Sequence, residues 1–516
     1  RTGLLSEQDR AQFEQENLSL TPGGREQAYI QKFYLYMNLT KPEEFLHISY
    51  SKVSSDGKTL RPAYLVWDLK KLFPKLVVTE EEALLMTQRE LTPGEGLEFV
   101  IRGVRDRYLG VDESWKELYT WYRQNEGQKV DRILDAGFFK KKPDALTGEE
   151  AAELYGEKKQ FSVTRMERFS ACAYAHFLTY GLHLSDRERY EFEAMDLGNI
   201  AHQSMERFAR KAQEKRMPWP KLEEVQRDAM IEESVEESIK DYGNTVLYST
   251  ARNEYMIVRI KQLIRRSVWA LTRQMEKGDF EPSGYEMNFG SGKIDRIDTC
   301  EDEDMVYVKV TDYKTGMKSF DIVALYHGLQ MQLPVYLNAA LELEERRAPG
   351  KTVEPAGIFY YRIKDPIVDR EKDDHALEEK ILKELRLDGM INAKEEVIEH
   401  LEHQLSGTSV LNPIGKNKDG SLNRYSKVLP PEAFAAMLSY TKKKEAQVKR
   451  QIYAGEVQAN PYELNGSTGC DYCAYRDICG FDPRLDGYAY RSLEKYSKEE
   501  VIRRMEEEIE NREEPS

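Results

Sequence analysis

The sequence predicts an α/β fold whose core is a mixed sheet flanked by helices. Two runs of alternating residues, 293–299 and 305–313, surround a short acidic turn, which is the pattern of an antiparallel hairpin. Residues 356–363 predict a further strand of the same sheet. Helical spacing precedes and follows these strands, at residues 222–242, 252–276 and 320–345, the last interrupted at Pro334. The interleaved acidic and basic residues of 370–405 predict a further helix with a solvated face. We expect these helices to cover the sheet.

Length and charge set the first limits on function. The 516 residues suffice for about three domains with cores of their own. The net charge of −15 argues against indiscriminate coating of polyanions, so a nucleic acid would have to follow a local basic groove. The sequence has no run of eighteen apolar residues and opens without a signal-peptide pattern, which predicts a soluble intracellular protein without membrane contact. Because the first residue is Arg1, we expect a piece of a longer protein.

Residues 1–150 differ in pattern from the rest of the chain. They predict a helix at 26–37, a strand at 44–50 and mainly helices afterwards. The charged stretch 140–157 is the predicted linker. The sequence contains no G-x-x-x-x-G-K-[ST] loop, so we expect no ATP hydrolysis by this chain alone.

Local signals place three of the helices. A stripe at helical spacing is more typical of a core than of a base-stacking platform, and its members are Trp115, Leu118, Trp121 and Tyr122. Residues 164–167, Thr-Arg-Met-Glu, predict a capping box that begins the helix carrying Cys172. Asp196 or Asn199 is predicted to cap the next helix, where His202 is four residues before Glu206 and shares its face.

The predicted hairpin brings reactive groups to one point. Side chains repeat with period two along a strand, so Asp312 and Lys314 share a face that Asp295 reaches from the partner strand. Two carboxylates and one ammonium suit metal-assisted phosphodiester hydrolysis, because divalent metals prefer oxygen ligands. A surface hairpin with solvated charges is the alternative. Glu286 is predicted to be a strand-end residue facing solvent, with a role as a further ligand as the second interpretation.

Five cysteines are too few and too unevenly spaced for a secreted disulfide framework. Cys470, Cys473 and Cys479 follow a C-x2-C-x5-C pattern, which predicts a metal site. Spacing alone leaves zinc and an iron–sulfur cluster open. Cys172 lies about three hundred residues earlier, and Cys300, in the predicted hairpin turn, is expected to be a free thiol.

Four motifs, taken in order, resemble the RecB-like PD-(D/E)xK nucleases. The hairpin carries Gly-x-Ile-Asp, ending at Asp295, and Asp-Tyr-Lys, ending at Lys314. Upstream, a predicted helix carries the motif Gly-x-x-x-His, which ends at His202. Downstream, another predicted helix carries the motif Gln-x-x-x-Tyr, formed by Gln332 and Tyr336. The resemblance implies Mg²⁺, with Mn²⁺ as an alternative, and a set of ligands comprising His202, Asp295, Asp312 and the Tyr313 carbonyl. It implies that Asp295, Asp312 and Lys314 are catalytic and that Gln332 and Tyr336 bind DNA.

One cysteine before this core and three after it resemble the iron–sulfur staple of the B subunits of AddAB-type helicase-nucleases. The resemblance implies a 4Fe-4S cluster held by Cys172, Cys470, Cys473 and Cys479. It divides the chain into residues 1–150, an inactivated helicase-like α/β remnant, and residues 151–516, the stapled nuclease domain. Residues 39–50 resemble the last motif of superfamily 1 helicase motors, although Lys41 stands where an arginine is expected.

The implied function is that of a DNA exonuclease subunit. In a heterodimer with a large helicase-nuclease A subunit, it would trim unwound strands at double-strand DNA ends for recombinational repair in the bacterial cytoplasm, associated with the nucleoid. Two alternatives stay open, a DNA-end-binding scaffold with a vestigial nuclease and a stand-alone CRISPR-associated RecB-like nuclease. Lysines and arginines at 416–427 and 442–450 are either the wall of a DNA groove or a solvated surface.

Overall fold

The computed structural model describes most of the chain, as two compact units. The described residues are 12–13, 15–16, 23–54, 58–80, 92–105, 113–138, 145–156, 161–185, 187, 192, 194–243, 245–290, 292–371 and 373–510. Unit 1 is Arg1–Gly137 and unit 2 is Phe138–Ser516. Each is considered by itself below.

Unit 1 is helical in its described residues. Its helices are α1 (Gly24–Thr40), α2 (Tyr64–Leu72), α3 (Pro93–Arg105), α4 (Glu113–Asn125) and α5 (Gly127–Gly137). A small core joins α3, α4 and α5 around the buried Val100, Tyr122 and Val130, with Trp115 and Leu118 packed against it. The predicted apolar stripe is therefore core, except for Trp121, which is 45% exposed.

The strand predicted at 44–50 is wrong. These residues are exposed and carry no strand assignment, and the side chain of Phe45 is 87% exposed. The residues alternate as in a strand, but none of the described residues pairs with this segment. An extended segment becomes a strand only when it forms a hydrogen-bonded ladder with another strand. Unit 1 thus owes its described order to helices.

Unit 2 surrounds its sheet with helices. Those before the sheet are α6 (Gly148–Tyr155), α7 (Val163–Ala171), α8 (Ala173–His176), α9 (Ala194–Glu214), α10 (Glu224–Tyr242) and α11 (Ala251–Met275). Those within and after it are α12 (Ile322–Tyr326), α13 (Gln332–Arg347), α14 (Asp374–Glu384), α15 (Glu395–Leu401), α16 (Pro431–Tyr453) and α17 (Lys498–Glu510). None of the described helices is long and apolar enough to cross a membrane.

The sheet is mixed, as predicted. Its six strands lie in chain order: β1 (Glu281–Phe289), β2 (Gly292–Glu301), β3 (Met305–Lys314), β4 (Thr352–Arg362), β5 (Asp388–Asn392) and β6 (Val428–Leu429). The β1–β2, β2–β3 and β4–β5 pairs are antiparallel, and the β3–β4 and β5–β6 pairs are parallel. The predicted hairpin is β2–β3, and the strand predicted at 356–363 is β4. A small second sheet comprises β7 (Tyr462–Leu464), β8 (Ser467–Thr468) and β9 (Arg491–Ser492).

Two hydrophobic clusters cover the sheet. One packs α9, α10 and α11 against strand residues that include Tyr313 and Tyr361. The other packs α7, α13, α16 and α17 against residues that include Val308 and Tyr360. Because successive residues of β3 and β4 join different clusters, these central strands are buried on both faces, which holds the ends of β2 and β3 in a rigid frame.

Two predicted helices differ in detail. The break in the helix predicted at 320–345 lies between α12 and α13, and Pro334 stands inside the first turn of α13, where a backbone N–H has no helical partner. Residues 370–405 are two helices separated by β5. The interleaved charges suggested one helix, but Met390 and Ile391 are buried and pair with β4.

Candidate nuclease centre

Three carboxylates lie at one level across β1, β2 and β3. The register places Tyr285 opposite Arg296 and Met287 opposite Ile294, so Glu286 faces Asp295. The β2–β3 ladder ends at the pair Arg296 and Thr311, and one further step brings Asp295 opposite Asp312. We call Glu286, Asp295 and Asp312 the carboxylate row. Directly opposite residues on antiparallel strands lie close together, so the row concentrates negative charge.

Where the ladder of backbone hydrogen bonds between β2 and β3 ends, the side chain of Asp295 binds the backbone of β3. Its Oδ2 accepts a hydrogen bond of 2.7 Å from the Tyr313 N–H, and its side chain is buried. The same Oδ2 lies 3.2 Å from His202 Nδ1. The two strands thus separate where the motif begins, and a carboxylate held by the backbone faces the histidine.

Asp312 is the most deeply buried member of the row. Its Oδ1 accepts a hydrogen bond of 2.8 Å from Gln332 Nε2, and its Oδ2 forms an ion pair with Lys314. Burial, and then the charge of Asp295, raise the pKa of Asp312 to about 7. A carboxyl group this poorly solvated gains from a bound cation.

His202 points from α9 towards the row. Gly198, one turn earlier, lets α9 approach the end of β3, since a Cβ there would lie 3.3 Å from Thr315 Oγ1. The imidazole packs edge to face against the ring of Tyr313. Burial alone would lower the pKa of His202, but the hydrogen bond to Asp295 and the charges of Asp295 and Asp312 raise it. The predicted His202, Asp295 and Asp312 are therefore neighbours.

Glu286 belongs to the centre, and the expectation that it faces solvent is wrong. Its side chain is 8% exposed and lies 2.6 Å from Lys293 Nζ. Its backbone has a φ of +48°, a region that residues other than glycine rarely adopt, so the period-two rule does not describe its direction. Ligand atoms of Glu286, His202 and Asp295 all lie within 4.8 Å of one another. Sequence reasoning gave Glu286 too little weight because strained backbone is invisible in a pattern.

The donor set of the centre fits Mg²⁺ or Mn²⁺. Carboxylate oxygens and one imidazole are ligands that these ions accept, and the three carboxylates of the row lie close together. An open cavity of about 600 Å³ adjoins the row, lined by residues that include His202, Glu206, Glu286, Lys293 and Thr315. The Tyr313 N–H points to Asp295, and its ring is buried.

The hydrogen-bond partners of Glu167 are not those that a capping box at the start of its own helix would give it. α7 begins at Val163 with Ser162 as its cap, so the predicted capping box at 164–167 is wrong. The carboxylate of Glu167 instead accepts backbone N–H groups of Met331 and Gln332, at 2.7 and 3.0 Å. These groups open α13, where unpaired N–H donors favour an anion. Glu167 thereby fixes the helix that carries Gln332.

Gln332 and Tyr336 are inside the centre. Gln332 Nε2 donates to both Asp312 and the hydroxyl of Tyr336, the latter at 3.0 Å, and Tyr336 is 8% exposed. Lys318, which the sequence did not single out, lies 3.5 Å from Gln332 Oε1 and over the ring of Tyr360. A lysine four residues past Asp-Tyr-Lys was the signal available for it.

The basic stretches are largely engaged with the protein itself. On α16, Lys442 pairs with Glu342 and Lys449 pairs with Glu445. In the 416–427 segment, Lys427 forms an ion pair with Asp388, and one isolated bridge pairs Lys416 with Leu422. These contacts favour the interpretation of a solvated surface for the lysines of α16.

The four cysteines that were predicted to act together do lie together. Cys172, Cys470, Cys473 and Cys479 line one apolar cavity. All are free thiols, and burial raises the pKa of Cys172 and of Cys470, with a smaller effect of the same sign from nearby cysteines. The backbone also joins the distant segments, because Tyr174 N–H donates to Gln458 C=O at 3.0 Å. Four thiols around one cavity fit a tetrahedral metal or a 4Fe-4S cluster. Cys300, by contrast, is buried in β2 and not in the turn.

Comparison with known proteins gives consistent results. Residues 160–480 match the family model described as the PD-(D/E)XK nuclease superfamily. Curated proteins named as the B subunit of ATP-dependent helicase/deoxyribonuclease are similar over nearly the whole chain. One from Lachnoclostridium phytofermentans is 37% identical over 97% of this chain and 45% of its own length, and one from Alkaliphilus oremlandii is 31% identical over 99% and 47%. The chain thus spans about half the length of these relatives.

The matched residues, 160–480, contain the mixed sheet, the carboxylate row, His202 and the Gln332 helix. The resemblance to the B subunits stated from the motifs is confirmed by the relatives that share it. Fold, motif order and family match agree. This chain belongs to the PD-(D/E)XK nuclease superfamily.

Proposed function

We propose that this chain is the nuclease-bearing part of a helicase-nuclease subunit, a metal-dependent DNA exonuclease that processes double-strand ends for recombinational repair. The carboxylate row with Lys314 and His202 is the observation that carries the proposal. The relatives named as the B subunit of a helicase/deoxyribonuclease support a large helicase-nuclease partner and a DNA substrate. The completeness of the centre weighs against a vestigial nuclease.

In this proposal the row and His202 hold Mg²⁺ or Mn²⁺. Asp295, Asp312 and His202 are ligands, with the Tyr313 carbonyl as a fourth, and Glu286 is a further carboxylate ligand from β1. Bound there, the ion supplies positive charge to the phosphate and makes an attacking water more acidic. Tyr313 N–H keeps Asp295 in place, and Gln332 keeps Asp312 in place.

Lys314 has the catalytic proton role. Its Nζ forms an ion pair with Asp312, and it therefore stays at the edge of the row where the scissile phosphate would enter. In its neutral form the amine accepts the proton of the attacking water, and the ammonium that results balances negative charge that develops on the phosphate. Lys318, also near Gln332, adds positive charge for the substrate strand.

Gln332 and Tyr336 contact the DNA strand beside the scissile bond. Their side chains share one face of α13 and hydrogen-bond to each other. With DNA bound, the amide and the phenol exchange this contact for the sugar-phosphate backbone. Glu167 holds the start of α13 and so sets where that face stands relative to the metal ligands.

The four-cysteine cavity is proposed to hold a structural 4Fe-4S cluster. Such a cluster would join the helix break at Cys172 to a segment about three hundred residues later and so remove much freedom from the unfolded chain. Residues 1–150 are proposed to be a helicase-like remnant without ATPase activity, because the sequence has no phosphate-binding loop.

Exonuclease activity is tested with matched linear and circular single-stranded DNA. In Mg²⁺, the protein should degrade the linear strand from its ends and leave the circle intact, and Asp312→Asn measures any contaminating nuclease. Cleavage of the circle at the same rate would replace the proposal by an endonuclease. Tight binding to duplex ends without any cleavage would favour the scaffold alternative.

A further inference from the structure

A second cluster of metal-binding side chains lies at the opposite end of β2 from the carboxylate row. Asp279 precedes β1, Cys300 is near the end of β2, and His400 is in the last turn of α15. One ligand atom from each lies within 4.8 Å of the others. Cys300 is five residues beyond Asp295, or about 17 Å along a strand, so the two sites are separate.

The backbone holds these segments together. Asp279 N–H donates to the carbonyl of His400, and His403 N–H donates to the carbonyl of Lys277, each at 2.8 Å. Gly278 lies between the two contacts, and a Cβ there would be 2.4 Å from the carbonyl oxygen of His400. Glycine is therefore required for this approach. The fold itself therefore brings the ligating side chains together.

The histidines converge on one carboxylate oxygen. Asp279 Oδ2 lies 2.8 Å from His400 Nδ1 and 2.8 Å from His403 Nε2. The other ring nitrogen of His400, Nε2, lies 3.2 Å from Asp302 Oδ2. Once an ion displaces the proton between Nδ1 and Asp279, a proton on Nε2 directed to Asp302 leaves the lone pair of Nδ1 for that ion. A carboxylate behind an imidazole is how proteins orient a metal-ligating histidine.

The donor set selects the kind of ion. One thiol, one imidazole and one carboxylate, with a water as the fourth ligand, match the four-coordinate sites of Zn²⁺ and similar transition metals, whereas Mg²⁺ requires oxygen ligands. Cys300 is 5% exposed, while the side chains of Asp279 and His403 are 44% and 45% exposed. The soft ligand is thus inside and the rim is open for entry. If these residues formed only a network of ion pairs, the buried thiol of Cys300 would have no role in it.

We propose that Asp279, Cys300 and His400 form a Zn²⁺ site that stabilises the fold, distinct from the nuclease centre and from the four-cysteine cavity, with His403 as a hydrogen-bond partner of Asp279 at its rim. The ion replaces the proton between Asp279 and His400 Nδ1 and the proton of the Cys300 thiol, so binding releases protons. It joins the start of β1, the end of β2 and the end of α15. Its loss should affect stability before it affects DNA cleavage.

Zinc stoichiometry tests the site. The anaerobically purified protein, with the four-cysteine cavity occupied and Mg²⁺ in excess to fill the nuclease centre, is freed of zinc with a mild chelator and titrated with Zn²⁺, and its mass is measured by native mass spectrometry. His400→Ala and Cys300→Ser should each bind one Zn²⁺ fewer than the parent and lose the zinc-dependent rise in Tm. His375→Ala is the matched control, because the side chain of His375 is 76% exposed on α14, and it should behave as the parent. Equal zinc binding by all four proteins would overturn the proposal.

Cobalt gives a second measurement that does not depend on the histidine variants. Co²⁺ in the parent should show a sulfur-to-cobalt charge-transfer band, and the difference spectrum against Cys300→Ser isolates the sulfur of this site from the other cysteines. If His400→Ala does not fold, the comparison between the Co²⁺ spectra of the parent and of Cys300→Ser tests the site by itself. Identical spectra of the parent and Cys300→Ser would refute Cys300 as a ligand and the site with it.

Discussion

The nuclease centre and the four-cysteine cavity are assembled in opposite ways. The carboxylate row lies on three adjacent strands within thirty residues of sequence, and the sheet register alone brings Glu286, Asp295 and Asp312 to one level. The cavity joins Cys172 to cysteines about three hundred residues later. The first offers hard oxygen donors beside an open cavity, and the second offers soft thiols in an apolar one. The difference teaches that a change in the first should remove activity and a change in the second should remove stability.

The largest expected effect on stability is that of a lost thiolate. Cys470→Ser should eliminate the visible absorption of the cluster and lower the free energy of unfolding by roughly 4 kcal/mol, because a cross-link across a long loop is lost. Absorption spectra and denaturant unfolding of anaerobically purified protein measure both. Cys300→Ser should keep the visible absorption. Zinc without iron or sulfide in the parent would refute the cluster.

A smaller effect is expected from the neglected ligand. Glu286→Gln should weaken Mg²⁺ binding by on the order of tenfold or more, since it removes a charge from the ligand set while keeping the shape. Titration calorimetry measures the affinity. Glu281→Gln, exposed at the start of the same strand, is the control and should bind as the parent. Unchanged affinity in Glu286→Gln would return Glu286 to the role of a partner for Lys293.

The pH dependence of stability and of Mg²⁺ affinity tests the nuclease centre without a measurement of activity. The pKa of Asp312 is about 7 in the metal-free fold, above its value in an unfolded chain, so the fold binds an extra proton. Metal-free stability should therefore fall as the pH rises from about 4 to 7, and Mg²⁺ affinity should rise over the same window and then level off. His202, whose pKa is also raised, acts with the same sign on Mg²⁺ affinity. Mg²⁺ affinity that does not change between pH 5 and pH 8 would contradict this.

The smallest effect is expected on α13. Gln332→Ala should weaken single-stranded DNA binding by about tenfold and change Mg²⁺ affinity much less, because the amide touches Asp312 without being a ligand. Fluorescence anisotropy and calorimetry separate the two quantities. A larger loss of Mg²⁺ affinity than of DNA affinity would move Gln332 into the ligand set.

The sequence predicted what depends on local periodicity. The hairpin, Asp295, Asp312 and Lys314 followed from period two on consecutive strands, and His202 from a motif on one helix. Glu286 was undervalued because its positive φ breaks that period. Long-range contacts were also not predicted, because a local pattern does not contain them. Glu167 fits a local capping pattern, yet its partners are the N–H groups of Met331 and Gln332, 164 and 165 residues away.

The predicted strand at 44–50 failed for a related reason, because a strand needs a partner that its own sequence does not name. The cluster of Asp279, Cys300 and His400 had no signal in spacing at all, since each of these residues comes from a different element. Periodicity thus finds sites within a motif, and tertiary contacts are required for sites between motifs.

The rate of DNA cleavage by Asp312→Asn tests the central claim most directly. Single-turnover cleavage of end-labelled single-stranded DNA in Mg²⁺ is compared with that of the parent and of Asp304→Asn, in the exposed turn of the same hairpin. A lost ligand charge worth several kcal/mol predicts a rate reduced by about 10³-fold or more, with folding intact and Asp304→Asn unchanged. Cleavage by Asp312→Asn as fast as by the parent would show that the carboxylate row is not the nuclease centre.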